Sequence, residues 1–315
     1  MQQNTISSPI SMSGIGVHSG ATVAITLLPA PTGHGIVFKR VDLGKDSNAY
    51  IPARYDHVSD TRLCTVLSND HGIKIGTVEH LLAACASIGI DNLLIEVNSE
   101  EIPIFDGSSL PFIEAIHRVG VTRQAASKKF LRILETVEIS FPDGRLASLS
   151  PSTQSIYHCR LEFAHAVIGE QHYTHLLTPD SFARDIAPAR TFGFMHEVEK
   201  LRLAGLARGG SLENAVVIGD DKILNPEGLR FTDEFVRHKI LDAVGDLSLC
   251  GHAIIGRYDA VRPGHALNNA LLHALFQQED AWDLVSIDSK KSVDFSLLKS
   301  TCSKGLQKSA EYAPA

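Results

Sequence analysis

The spacing of apolar and polar positions changes character several times along the chain. Ala21 to Leu28 and Gly35 to Arg40 carry the pattern of strands. Val78 to Ser87 is rich in Leu and Ala and predicts a helix, with Thr77 placed to cap its start and Gly89 its end. Leu93, Leu94 and Ile95 form a short apolar run inside Asp91 to Val97, the pattern of a buried strand. Asp106-Gly107 then reads as a turn. Ser109 is placed to cap a second helix, with Pro111 in its first turn and Gly120 beyond its end.

Around Ala125 to Lys129 the sequence turns polar and loses its period, which predicts a linker. A second series follows: strands from Phe130 to about Val167, a helical stretch near 193–206, a break at Gly209-Gly210, and a strand at Ala215 to Ile218. Helices are expected over Thr232 to Leu249 and His265 to Phe276. Each half thus offers several strands and two helices, so two α+β units of similar plan are expected. The divisions are 1–125, a linker at 126–134, a second domain at 135–299 and a polar tail at 300–315.

Composition narrows the class. The chain has 315 residues, 44 % of them hydrophobic and 21 % charged, which excludes wholesale disorder. The net charge of -7 disfavours a nucleic-acid partner, so any anionic ligand needs a local cationic pocket. No secretory signal or integral membrane segment is expected. The first 38 residues hold no Lys or Arg, and the most apolar stretch, Leu81 to Ile90, is too short to span a bilayer. Five cysteines without a CxxC pair fit neither a disulfide framework nor a thiolate zinc site, and the expected setting is a reducing cytoplasm.

Three clusters carry candidate chemistry. At ~100° per residue, His238, Asp242 and Asp246 share one quadrant of a helix, while Ile240, Leu241, Val244 and Leu247 take the opposite side. His and Asp at i, i+4 can face one metal ion; an ordinary ion pair on a solvated face fits the same spacing. Glu79-His80 can supply one ligand and one base, although a Glu in a first turn also suits the helix dipole. Gly264-His265 opens a helix, where a protonated imidazole is disfavoured unless a carboxylate opposes the dipole. Asp246 is the candidate carboxylate, and a simple turn is the alternative. Two His and one Asp, with a free Glu and a free His, form the parts of a hydrolytic metal site, although neither HExxH nor HxxEH occurs.

Eight segments in order resemble the UDP-3-O-acyl-N-acetylglucosamine deacetylases, zinc amidases of lipid A synthesis. They are GIGVHSG (14–20), TVEHLLAA (77–84), DNLLIEV (91–97), IFDGSS (104–109), ARTFGF (189–194), LARGGSLENA (206–215), RHKILDAVGDL (237–247) and GHALNN (264–269). The resemblance spans roughly residues 5 to 280. It implies an α+β fold of two similar two-layer α/β sandwich domains packed against each other, each with a small insertion, and an active site at their interface. It implies hydrolysis of the N-acetyl group of the acylated UDP-sugar, with release of acetate, as the committed step of lipid A biosynthesis.

The same resemblance assigns roles. His80, His238 and Asp242 are implied as ligands of Zn2+, with Fe2+ equally suited to imidazole and carboxylate. Glu79 is implied as general base, His265 as the protonated partner oriented by Asp246, and Thr191 as a donor to the oxyanion. Lys239 and Arg262 suit the substrate diphosphate, with His18 near the site. Phe192, Gly210 and Ser211 fall in matched segments as substrate contacts. Met195, Val198, Leu201, Leu206, Ala207 and Val217 would line a passage for the 3-O-acyl chain, or serve as ordinary core. Phe163 and Arg145 would stack on uridine and touch phosphate. Cys64 has packing or proximity to the metal as its two readings. The partner is the UDP-linked acylated glucosamine, and the chain is expected to act as a cytoplasmic monomer. A nucleotide-sugar or lipid-binding protein would not need Glu79, His265 and three metal ligands together. The apolar insertion, with Lys239 and Arg262, speaks against a simpler amide substrate.

Overall fold

The computed structural model describes residues 1–44 and 48–287. The expected polar tail at 300–315, and the end of the second expected domain, lie outside the described residues. Among the described residues the architecture is mixed α and β with six α-helices: α1 (Glu79–Ile88), α2 (Leu110–Val119), α3 (Pro179–Asp185), α4 (Met195–Leu203), α5 (Glu234–Leu247) and α6 (His265–Gln277).

In the first half, five strands run in the order Ile10–Ile15, Thr22–Pro29, Leu93–Val97, Ile36–Arg40, Tyr50–Pro52. The central strand pairs antiparallel to Thr22–Pro29 and parallel to Ile36–Arg40. Val23, Ile25 and Leu27 alternate inward from one strand and Leu93, Ile95 and Val97 from its neighbour, all fully buried. In the second half, Ala253–Val261 is the hub of a seven-stranded sheet. It pairs parallel to Lys129–Ile133 and Ser155–Glu162 and antiparallel to Leu146–Ser150. Each half also carries an excursion. One is a three-stranded sheet of Val58–Asp60, Val66–Ser68 and Lys74–Ile75. The other pairs Phe192–Phe194 with Val216–Ile218 and includes α4.

Helices α1 and α5 pack on each other, and α6 packs on α5. Their crossing is close because position 245 has no side chain: a Cβ there would stand 2.1 Å from the Glu79 carbonyl oxygen. Apolar residues Leu81, Leu82, Ile240, Leu241, Val244 and Leu247 are all at most 1 % exposed and fill the surrounding core.

Several local expectations change. The stretch read as a polar linker is built into strands: Val121–Ser127 pairs with Gln2–Ile6, and only Lys128 separates it from Lys129–Ile133. Its period was masked because Val121–Ser127 is largely exposed. Thr77 does not cap α1; its φ is 57° and its hydroxyl donates to Glu101 at 3.1 Å. Ser109 holds the N-cap position of α2, but its hydroxyl donates to the His80 carbonyl at 2.8 Å. Both side chains are drawn away by long-range partners that local spacing does not contain. The strand Glu170–Leu176 and helix α3, which opens with a capping box from Thr178, are further elements.

Candidate metal centre and active site

Helix α5 lays His238, Asp242 and Asp246 along one face, and α1 brings Glu79 and His80 against that face. All five side chains are at most 3 % exposed. The Asp242 Oδ1 atom lies 3.3 Å from His238 Nε2 and 3.6 Å from His80 Nε2. One donor atom from each of the three residues lies within 4.8 Å of the others, the spread of a ligand set around one ion.

The protonation pattern suits a cation. His238 Nδ1 donates to the Ala189 carbonyl at 3.0 Å, which leaves Nε2 as a lone pair facing the cluster. Burial lowers the His238 pKa to about 3, so the ring is neutral at neutral pH. Burial alone would raise the Asp242 pKa, but His238 and Lys239 hold its carboxyl well below the usual range. Lys239 Nζ donates to Asp242 Oδ2 at 2.9 Å. Oδ1 is buried without a hydrogen-bond partner among the described residues. A buried carboxylate oxygen in that state costs free energy unless something positive completes it.

A second pair stands beside this cluster. Glu79 Oε1 is 3.8 Å from His265 Nε2, too long for a hydrogen bond, and Glu79 Oε2 accepts from the Thr65 backbone N–H at 3.1 Å. Burial raises the Glu79 pKa, partly offset by His265 and His80. His265 Nδ1 is 2.8 Å from Asp246 Oδ2. Burial would lower the His265 pKa, yet Asp246 and Glu79 outweigh it and raise it to about 9. Asp246 is itself fixed by the Thr65 hydroxyl at 2.6 Å and by Asn268 at 2.8 Å. The geometry therefore brings a carboxylate and a cationic imidazole to face each other next to a ligand set, which is what hydrolysis needs.

The other expected site residues have partners of their own. Thr191 is half-buried, and its backbone N–H donates to the Gly107 carbonyl at 2.8 Å. The Phe192 ring is 6.3 Å from the His238 ring and 6.2 Å from that of Phe163, so Phe163 belongs to the same aromatic group. The His18 loop meets the 207–210 loop, with the Gly209 N–H donating to the Val17 carbonyl at 3.0 Å. Lys239 Nζ donates to Asp242 Oδ2 at 2.9 Å, with its side chain partly exposed. Arg262 donates to the Asp143 carbonyl and lies 4.0 Å from Glu162, while its Nε is buried without a partner among the described residues. Arg145 pairs with Asp143 at 2.8 Å. Helix α4, which carries Met195, Val198 and Leu201, buries none of its residues. Leu206, Ala207, Gly210 and Val217 are half-buried, and Ser211 is exposed. Cys64 is buried, and burial with the nearby Glu79 pushes its thiol pKa up, which makes it an inert packing group rather than a thiolate.

Sequence reasoning missed Thr65, Asn268 and the Ala189 carbonyl. Asn268 stands three residues after His265, one helical turn on, and that spacing is a usable signal. Thr65 lies 181 residues from Asp246 and has no local signal at all.

A His–His–Asp cluster beside a glutamate and a carboxylate-backed histidine is the arrangement of side chains that a hydrolytic metal site uses. The family model for LpxC, UDP-3-O-acyl N-acetylglycosamine deacetylase, matches residues 3–277. A UDP-3-O-acyl-N-acetylglucosamine deacetylase of Shewanella frigidimarina is 47 % identical over 94 % of this chain and 96 % of its own length. A protein of the same name from Shewanella woodyi is 47 % identical over 94 % of this chain and 97 % of its own. The chain belongs to the UDP-3-O-acyl N-acetylglycosamine deacetylase family.

Proposed function

We propose that this chain hydrolyses the N-acetyl group of a UDP-3-O-acyl-N-acetylglucosamine and releases acetate, in lipid A biosynthesis. One observation carries the metal part of this reading: the buried, unpartnered Asp242 Oδ1 faces the Nε2 atoms of His80 and His238. The donor set fits Zn2+, and equally Fe2+. An ion held there supplies Lewis acidity toward the amide carbonyl and the attacking water.

The chain's own groups do the rest. Glu79 takes the proton from water, and the nearby His265 and His80 favour its carboxylate form against the effect of burial. His265, held cationic by its contact with Asp246, donates its proton to the departing amine, and the proton that Glu79 takes from water restores the facing His265. The Thr191 hydroxyl donates to the developing oxyanion. Arg262, whose side chain is partly exposed, and Lys239 attract the diphosphate, with His18 at the rim and Arg145 beside it. Phe163 offers a ring to the uridine.

The uncovered apolar residues of α4, together with Phe192, Leu206, Ala207 and Val217, support a passage for the 3-O-acyl chain, at about 0.8 kcal/mol per buried CH2. Gly210 and Ser211 border it. In this reading two domains, 1–125 and 135–299, meet along α1 and α5, and the enzyme works as a cytoplasmic monomer. No helix among the described residues is long and apolar enough to cross a membrane.

Metal analysis combined with acetate release from the acylated UDP-sugar, before and after chelation, tests the proposal. Activity that survives complete metal removal would refute it.

A further inference from the structure

The peptide bond between Ala189 and Arg190 is held at both ends by one helix. Its carbonyl accepts from His238 Nδ1 at 3.0 Å, and its N–H donates to Glu234 Oε1 at 3.0 Å. Glu234 and His238 are i and i+4 on α5, so their side chains lie one turn apart on the same face. A trans peptide directs its C=O and N–H in opposite senses, and the two side chains therefore grip it lengthwise.

Glu234 is fully buried and its two oxygens accept four hydrogen bonds. Oε1 takes the Arg190 N–H and Nε (2.8 Å); Oε2 takes Arg190 Nη2 (3.2 Å) and the Arg230 N–H (2.6 Å). Arg190 is 2 % exposed and is completed by Glu227 and the Gly228 carbonyl. A buried ion pair of this kind is weak support for stability in itself, because desolvation offsets the attraction. Its use must be sought in what it orders.

We infer that Glu234 is a positioning residue for the metal ligand His238, acting through the Ala189–Arg190 peptide. A carboxylate on the N–H polarises the peptide and strengthens its carbonyl as an acceptor. That carbonyl locks the Nδ1–H tautomer, directs Nε2 at the metal position and raises the basicity of the ring. The arrangement is a carboxylate–histidine relay with a peptide as spacer. It also fixes the backbone just before Thr191. The inference rests on the proposed metal site.

The test measures Zn2+ affinity by chelator competition for the full-length wild-type chain, Glu234→Gln and Glu227→Gln. It also measures the His238 tautomer by imidazole 15N shifts in the metal-free proteins. Glu227→Gln removes a partner of Arg190 but leaves the peptide clamp. Glu234→Gln is expected to weaken Zn2+ binding by about 10–100-fold and to lower the Nδ1–H population, with Glu227→Gln within about twofold of wild type. Should Glu234→Gln fail to fold, Arg190→Met/Glu234→Leu removes both buried charges together and is expected to show the same loss. Wild-type affinity retained in the Glu234 variants overturns this inference alone, as does an equal loss in Glu227→Gln. A wild-type chain that takes up no metal overturns both this inference and the proposed function.

Discussion

The Cα of Gly245 lies so close to Glu79 that a methyl group there would meet its carbonyl carbon at 2.8 Å and its oxygen at 2.1 Å. The obstacle is backbone in the first turn of a packed helix, and it cannot swing aside. Gly245→Ala must push α1 from α5. We expect a loss of stability of about 1–3 kcal/mol, and a fall in activity as Glu79 and His80 move off the α5 ligands. Urea unfolding and a rate assay on the same sample check this. A variant with wild-type stability and rate would mean that the crossing is looser than this contact implies.

Glu79 and His238 should separate cleanly by metal content. Glu79→Gln keeps the volume and removes the base, so turnover should drop by about 100- to 10,000-fold with metal retained. His238→Ala should lose the metal as well as the activity. Elemental analysis of the purified variants distinguishes the two. Metal loss in Glu79→Gln would make Glu79 a ligand instead of a base.

The pH profile should follow His265. Its folded pKa is raised from 6.5 to about 9, against the effect of burial, by Asp246 and Glu79. The protonated form is therefore present at neutral pH and is lost as pH rises through about 9, and activity should fall on the same limb. Asp246→Asn withdraws the opposing charge and should move that limb to lower pH. The kcat profile of the two proteins is the measurement; a limb that stays in place assigns it to another group.

Stability at mildly acidic pH should depend on His175. This ring is 3 % exposed, packs near Phe182 and has its pKa lowered by burial from 6.5 to about 4. The unfolded chain binds the proton more readily between those values. The contribution of the neutral ring is thus complete above 6.5 and is lost as pH falls toward 4, at no more than about 3 kcal/mol. His175→Gln should flatten the difference in unfolding free energy between pH 7 and pH 5. An unchanged difference would show that other groups carry it.

Read alone, the sequence determined what depends on nearest neighbours and helical period. It placed His238, Asp242 and Asp246 on one face of one helix, located α1, α5 and α6 within about two residues, and carried the segments that mark the family. Tertiary structure decided everything that joins α1 to α5. Only packing seats Glu79 and His80 against those ligands, diverts Thr77 and Ser109 from capping, and brings Thr65 to Asp246 and Glu234 to the peptide before Thr191. The reason is range. Period and capping act over a few residues, whereas these contacts join residues far apart in the chain, and α1 and α5 come close where Gly245 has no side chain to keep them apart.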